Sequence, residues 1–387
     1  MRAAAVALAA MIPVMTPVMI PGLSPASAEI LTPSEFVIMM DYESGDILYE
    51  KNMDAPMKPA SMAKMMTTYM VFQQLKNGSL KMDDKFIVSE KAYRKGGSRM
   101  FLELGSQVTV RELLRGVIVQ SGNDAAIVIA EGLAGTEDAF AEEMTLRANE
   151  LGMTNTVFGN STGWPDERTT TTVRDLAILA QALIREFPEY YKIYSEKTYT
   201  YNNIKQPNRN PLLYSMNGAD GLKTGHTSES GYGLVGSAEV DGQRLILVIN
   251  GLNSSKERKL ESTRLMQLGF RTFTKYDLLI KDDVIGRAPI WMGVEETVPL
   301  VPDTSVSRVL DRKTYAKVAT RTNWPDPINA PVKKGQKLGE IFITVDGVET
   351  RYPLVAGKDI DKLPLHKRIG AFFKYLIFGA ETNPNAK

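Results

Sequence analysis

The chain has 387 residues, 24% charged and 43% hydrophobic, and at this length two domains are expected. Its 46 Lys and Arg against 45 Asp and Glu leave a formal charge of +1, which provides no global basic field for nucleic acid and no acidic tail. With no cysteine, thiol catalysis, disulfides and Cys-based zinc sites are excluded, and two distant histidines, His226 and His366, do not suggest a metal site, so neither metal nor cofactor is expected.

From Ala3 to Ala28 no residue is charged. Arg2 precedes this run and Ala26-Ser27-Ala28 closes it with the small-x-small pattern of a signal-peptidase site, whereas Pro13, Pro17 and Pro21 argue against a regular spanning helix. Residues 1–28 are therefore expected to be an export signal. Phe36 to Met40 and Ile47 to Tyr49 flank Ser44-Gly45 as a hairpin. Met62, Met65, Met66, Tyr69 and Met70 then repeat at helical spacing after Pro59, a stripe that reads as core packing. Arg111 to Leu133 is a second apolar helical stretch, interrupted at Gly122. Thr136 opens a third helix that Gly152 can close, and Thr172 to Phe187 makes a fourth, stopped by Pro188.

Strand patterns follow. Asp220 to Thr227 precedes Gly231 to Val240 and Gln243 to Gly251, the latter two joined by the hairpin signal Asp241-Gly242. A helix over about Ser255 to Thr274 should pack across them, which gives an α+β plan for residues 29–285: an antiparallel sheet with helices. From 286 to 361, Glu296 to Val301, Lys337 to Val345 and Thr350 to Val355 alternate with Pro, Gly and Asp, as in a small all-β domain. In the tail, 362–387, Ile369, Phe372, Phe373, Leu376 and Ile377 share one helical face, with Lys367, Arg368 and Lys374 off it. This basic amphipathic helix suits a membrane surface and is too short and too charged to span; the competing reading is a helix docked on the β domain.

Three short motifs carry the chemistry. Ser61-Met62-Ala63-Lys64 places a serine and a lysine on one face at a helix start, where free N–H groups can meet an anion. A lysine made neutral by burial or by a neighbouring cation can activate the serine. Ser121-Gly122-Asn123 breaks an apolar helix with small residues, and reads either as a kink or as a cleft wall with a hydroxyl and an amide. Lys223-Thr224-Gly225 lies on a probable strand, where it offers a cation, a hydroxyl and a glycine that would let a substrate backbone approach the edge.

In this order the motifs resemble those of the low-molecular-mass penicillin-binding proteins that are serine-type D-alanyl-D-alanine carboxypeptidases. The likeness extends through PASMAKMMT, SRMFLELG, VIVQSGNDAA and GLKTGHTSESGYGLVGSA, and takes in the β domain and the tail. It implies the penicillin-binding, β-lactamase-like fold with helices on both sheet faces. The implied partners are peptidoglycan stem peptides ending in D-Ala-D-Ala, β-lactams as covalent inhibitors, and a membrane surface reached by the tail on the periplasmic side. By the same resemblance Ser61 is the nucleophile, Lys64 its base and Ser121 a proton relay to the departing D-alanine. Asn123 holds a peptide carbonyl and orders Lys64. Lys223 and Thr224 lie near the substrate carboxylate, and Lys223 also keeps Lys64 neutral. His226 contributes its backbone N–H to an oxyanion hole with Ser61. Arg258 reaches the terminal carboxylate, and Arg209 is a further candidate.

Two rival sites are weighed. Gly159-Asn160-Ser161-Thr162-Gly163 matches a hydrolase elbow that His226 could complete, but Trp164-Pro165-Asp166 follows where a helix should begin. A β-lactamase would need an E-x-x-L-N segment, which is missing from the sequence. A D,D-endopeptidase, a transpeptidase, or a scaffold that binds the wall share enough of the pattern to stand as alternatives.

Overall fold

The computed structural model describes residues 30–370. The expected export segment 1–28 and the tail positions Phe372, Phe373, Lys374, Leu376 and Ile377 lie outside the described residues.

Strand Phe36–Asp41 is buried along almost its whole length, so both its faces must be covered and both its edges paired. It sits second in a five-stranded antiparallel sheet, in the order Ile47–Lys51, Phe36–Asp41, Gln243–Leu252, Gly231–Val240, Ala219–Thr227. Its register pairs Ile38 with Val248 and Met40 with Ile246. These four residues point into the core shared with helices Lys64–Asn77 and Val173–Glu186. Met39 and Leu245 point the other way, against helix Ser255–Thr272: a side chain at Gly269 would begin 2.5 Å from Met39 Sδ and 2.8 Å from Leu245 Cδ1. Alternation along the strands therefore covers both faces with helices, as the α+β reading expects. The hairpin at Asp241-Gly242 has φ of 51° and 78°, the two positive values that a two-residue turn of this hand needs.

The helices start where their caps predict. Thr136 accepts from Ala139 N at the head of Glu137–Glu150, and Thr172 from Asp175 N at the head of Val173–Glu186. The stretch read as one interrupted helix is two, Val110–Ile118 and Asn123–Ala134, with Ser121 at φ 59° between them.

Helix Ser255–Thr272 ends two residues earlier than its spacing suggests, because Phe273–Leu279 is a strand paired with Val306–Asp311. Beyond it lies a six-stranded sheet in the order Ala319–Asn323, Lys337–Val345, Val348–Ala356, Thr297–Pro302, Gly286–Trp291, Ile328–Asn329. It has its own core of Ala288, Val298, Leu300, Ile341 and Leu354. Residues 365–370 begin a helix on which Leu365 and Ile369 are exposed. Among the described residues no helix is long and apolar enough to cross a membrane.

Candidate active site

Ala60 takes a φ of 46°, which turns the chain into the short helical turn Ala60–Ala63 that leads into Lys64–Asn77. Ser61 on this turn is partly exposed, and Lys64, one turn on, is fully buried. Lys64 Nζ lies 3.0 Å from Ser61 Oγ, 2.7 Å from Asn123 Oδ1 and 2.6 Å from the carbonyl oxygen of Thr162. Asn123 Nδ2 donates to Gly96 O at 2.8 Å, which fixes its amide with the oxygen toward the lysine. Two of the three partners of Lys64 are thus pure acceptors. A neutral amine has two N–H bonds to satisfy them and one lone pair, which is left facing Ser61, the single partner with a proton to give.

The environment favours that neutral form. Burial first, then the charge of Arg209, lower the Lys64 pKa to about 7, with Lys95 acting in the same direction and Asp124 and Glu137 opposing. Arg209 is the leading cation acting on Lys64. Lys223 is itself buried, and its own pKa is driven well down by burial and then by Lys64, Arg209 and Arg258.

Ser121 is buried in the break between two helices, and its Oγ accepts from Lys223 Nζ at 2.9 Å. Strand Ala219–Thr227 carries Lys223 and buried Thr224 at one edge of the sheet. The space a side chain would fill at Gly225 holds Pro59 O at 2.7 Å, Met62 Cγ at 3.1 Å and Ala60 Cβ at 3.2 Å. Its glycine lets the strand close onto the Ser61 turn. His226 is exposed and its ring stacks on Tyr232 at 3.9 Å. Arg258, on helix Ser255–Thr272, is buried with its guanidinium 5.6 Å above the Tyr232 ring, and burial lowers its pKa to about 10. Its NH1 reaches Gly225 O only at 3.5 Å, and its buried Nε has no hydrogen-bond partner among the described residues. Arg209 donates to Ser98 Oγ. Ser61, Lys64 and Asn123 therefore form one hydrogen-bonded group and Ser121 and Lys223 a second, near enough for the charges of Lys64, Arg209 and Arg258 to act on Lys223.

Some of the supporting groups carry no motif. Fully buried Asp124 accepts from Met100 N at 2.8 Å, Phe101 N at 2.9 Å and Ala125 N at 2.9 Å, which staples the 98–102 loop to the head of helix Asn123–Ala134. Asn123 N donates to Ser98 O at 2.7 Å in the same loop. Glu137 accepts from Ser161 Oγ at 2.7 Å and pairs with Lys91 at 2.9 Å, which fixes the turn that presents the Thr162 carbonyl. Asp124 directly follows the Ser121-Gly122-Asn123 motif, and Glu137 directly follows the Thr136 cap. The rival nucleophile Ser161 is fully buried in this structural role, in a loop that leads into no helix before Val173. No group of His, Cys, Asp and Glu suited to a metal occurs among the described residues.

Comparison with known proteins agrees with this geometry. Residues 24–254 match the D-alanyl-D-alanine carboxypeptidase family, peptidase S11, and residues 273–362 match the penicillin-binding protein 5 C-terminal domain. The chain is 38% identical over 345 residues to the D-alanyl-D-alanine carboxypeptidase DacC of Escherichia coli K12, covering 87% of this chain and 86% of that protein. Penicillin binding protein 5 from Haemophilus influenzae matches with a TM-score of 0.71 at 37% identity, over 86% of this chain and 98% of that one. Penicillin-binding protein D2 from Listeria monocytogenes, solved in its ampicillin-bound form, matches with a TM-score of 0.57 at 31% identity, over 62% of this chain and 98% of that one. With a serine beside a fully buried lysine at its site and this likeness along most of its length, the chain belongs to the peptidase S11 family of serine D-alanyl-D-alanine carboxypeptidases, penicillin-binding enzymes that act on peptidoglycan.

Proposed function

We propose that Ser61 Oγ attacks the carbonyl between the two terminal D-alanines of a stem peptide while Lys64 Nζ takes its proton. The bond from Oγ to that carbon forms and the C–N bond to the last D-alanine breaks. The proton passes through Ser121, held by Lys223, to the departing amine. Water then cleaves the ester and releases a peptide one residue shorter. The observation that carries this reading is the hydrogen-bond pattern of Lys64, whose two pure acceptors leave its lone pair for Ser61.

The backbone N–H groups of Ser61 and His226 form the oxyanion hole, each such donor typically contributing ~3 kcal/mol to the transition state. Asn123 also receives a peptide carbonyl. Lys223, Thr224 and Arg258 take the terminal carboxylate, with Arg209 supporting them. The unpartnered buried Nε of Arg258 supports this assignment, since a buried donor without an acceptor is costly until an anion arrives. β-Lactams acylate Ser61 by the same attack.

Residues 1–28 direct export, 29–285 form the catalytic domain and 286–361 the β domain, and 362–387 lie on the outer face of the cytoplasmic membrane. The first experiment measures D-alanine released from a D-Ala-D-Ala pentapeptide by the mature chain and by Ser61→Ala. Release by the unsubstituted chain alone is expected; release by both overturns the nucleophile, and release by neither overturns the activity. Deletion of 363–387 should abolish a salt-sensitive membrane association, and unchanged association overturns the tail's role.

A further inference from the structure

The bond between Lys223 and Ser121 crosses a gap between separate elements. Lys223 lies on strand Ala219–Thr227, last in the order of its sheet, so the ladder supports it from one side. The register of that strand also shifts between Ala219 and Gly221, just before the lysine. Ser121 belongs to the facing wall, with the 98–102 loop and the head of helix Asn123–Ala134. A lysine on a flexible four-carbon stem cannot by itself fix the spacing of two walls.

Asn208-Arg209-Asn210 supplies a second tie. These residues form neither helix nor strand and stand between Pro207 and Pro211, yet Asn208 and Asn210 are only 5% and 1% exposed. A buried amide is costly unless it is hydrogen-bonded, and both of these are. Asn208 Nδ2 donates to Glu196 O at 3.0 Å, and its Oδ1 accepts from Asn210 N at 3.0 Å. Asn210 Oδ1 accepts from Leu212 N at 3.0 Å, and its Nδ2 donates to Gly221 O at 2.6 Å, two residues before Lys223. The neighbouring Arg209 reaches the other wall. It donates to Ser98 Oγ, and Ser98 O accepts from Asn123 N at 2.7 Å. Adjacent residues of one braced segment thus grip the strand of Lys223 and the loop beside Ser121.

We propose that Asn210 is a positioning residue: with Arg209 it clasps the two walls at the separation that lets Lys223 hold Ser121, and so governs proton delivery to the departing group. This inference rests on the relay assigned to Ser121. When an amide is cleaved, the electron pair of the C–N bond goes to nitrogen, which takes the proton passed from Ser61 through Lys64 and Ser121. When a thioester is cleaved, the C–S pair stays on sulfur and a thiolate departs, while the Ser61 proton stays on Lys64. A loose clasp therefore harms amide cleavage far more than thioester cleavage, whereas general loosening harms both alike.

The test pairs an N-acetylated D-Ala-D-Ala peptide with its analogue in which sulfur replaces the last peptide N–H. Both keep the terminal carboxylate, so a displaced Arg209 affects them equally. Thiol release is read with a disulfide reagent, to which a chain without cysteine adds no background. Asn210→Ala should lower kcat/KM for the amide about tenfold relative to the thioester. Ser98→Ala, at a partly exposed position, opens the other end of the clasp and should move the ratio the same way by about threefold. End-point labelling of Ser61 with benzylpenicillin gives the active fraction of each variant. A ratio unmoved in labelled Asn210→Ala overturns the clasp; if that variant does not fold, a ratio unmoved by Ser98→Ala does so. Ser121→Ala is the reference. If it too leaves the ratio unmoved, the relay itself falls, so the two failures are distinguishable.

Discussion

Lys223 Nζ donates to Ser121 Oγ across 2.9 Å, joining a sheet edge to a break between helices 102 residues earlier in the chain. Because burial and the surrounding cations lower the pKa of Lys223, it loses its proton sooner than an ordinary lysine as pH rises. A ligand carboxylate opposes that loss. The KM for a D-Ala-D-Ala peptide should therefore climb toward alkaline pH, and it should do so less for a ligand whose terminal carboxylate is amidated. Steady-state kinetics over a pH series checks this, and parallel profiles for the two ligands would count against it.

The limb on the acid side has a different origin. Lys64, with a pKa of about 7, must be neutral to accept the Ser61 proton. Below that value the protonated fraction grows, and the rate of Ser61 acylation should fall about tenfold per pH unit. Stopped-flow acylation by a chromogenic β-lactam measures it directly. A rate flat from pH 5 to 8 would remove Lys64 as the base.

Asp124 offers a test with a sign. Its carboxylate raises the proton affinity of Lys64 while it holds the 98–102 loop. Asp124→Asn should slow acylation and move the acid limb to lower pH, because the opposing negative charge has gone. If the substitution only loosens the loop, water reaches Lys64, its desolvation is relieved, and the limb moves to higher pH instead.

Gly225→Ala should force the Lys223 strand away from the Ser61 turn, since the new Cβ would begin 2.7 Å from Pro59 O. Overpacking of this kind costs about 1–3 kcal/mol. Thermal unfolding should show that loss, and penicillin labelling of Ser61 should slow by a larger factor than in a control overpacked in the β-domain core.

Ser161→Ala separates the two serine motifs. It removes the hydroxyl that donates to Glu137 at 2.7 Å and should cost about 1 kcal/mol in stability. Labelling of Ser61 should remain stoichiometric, and loss of labelling in a folded protein would reopen the elbow reading.

What the sequence discloses and what it hides divide along physical lines. Ser61 and Lys64 are three residues apart on one turn, so helix geometry alone brings them together. The hairpin at Asp241-Gly242 is legible because few residue pairs tolerate two positive φ values in succession. Thr162 acts through a backbone carbonyl, which leaves no trace in residue identity, and Asp124 satisfies backbone donors from a loop that pattern alone does not place. Strand Ala319–Asn323 is exposed throughout and shows no alternation to detect. Strand Phe273–Leu279 follows a helix without a break, so the helical period runs over its first residues. Gly225 was readable as a glycine that permits close approach, but the sequence could not say that the approaching body is the turn at Pro59.

Lys64 has no solvent-exposed surface, and among the described residues its amine hydrogen-bonds only Ser61, Asn123 and Thr162. Neither the Asn123 oxygen nor the Thr162 carbonyl can carry a proton away. A proton that the lysine gains from the serine is therefore shielded from bulk water and goes inward, by the relay at Ser121, to the departing amine. Burial makes acylation a closed circuit, in which the hydrogen that leaves Ser61 is the one that arrives on the released D-alanine.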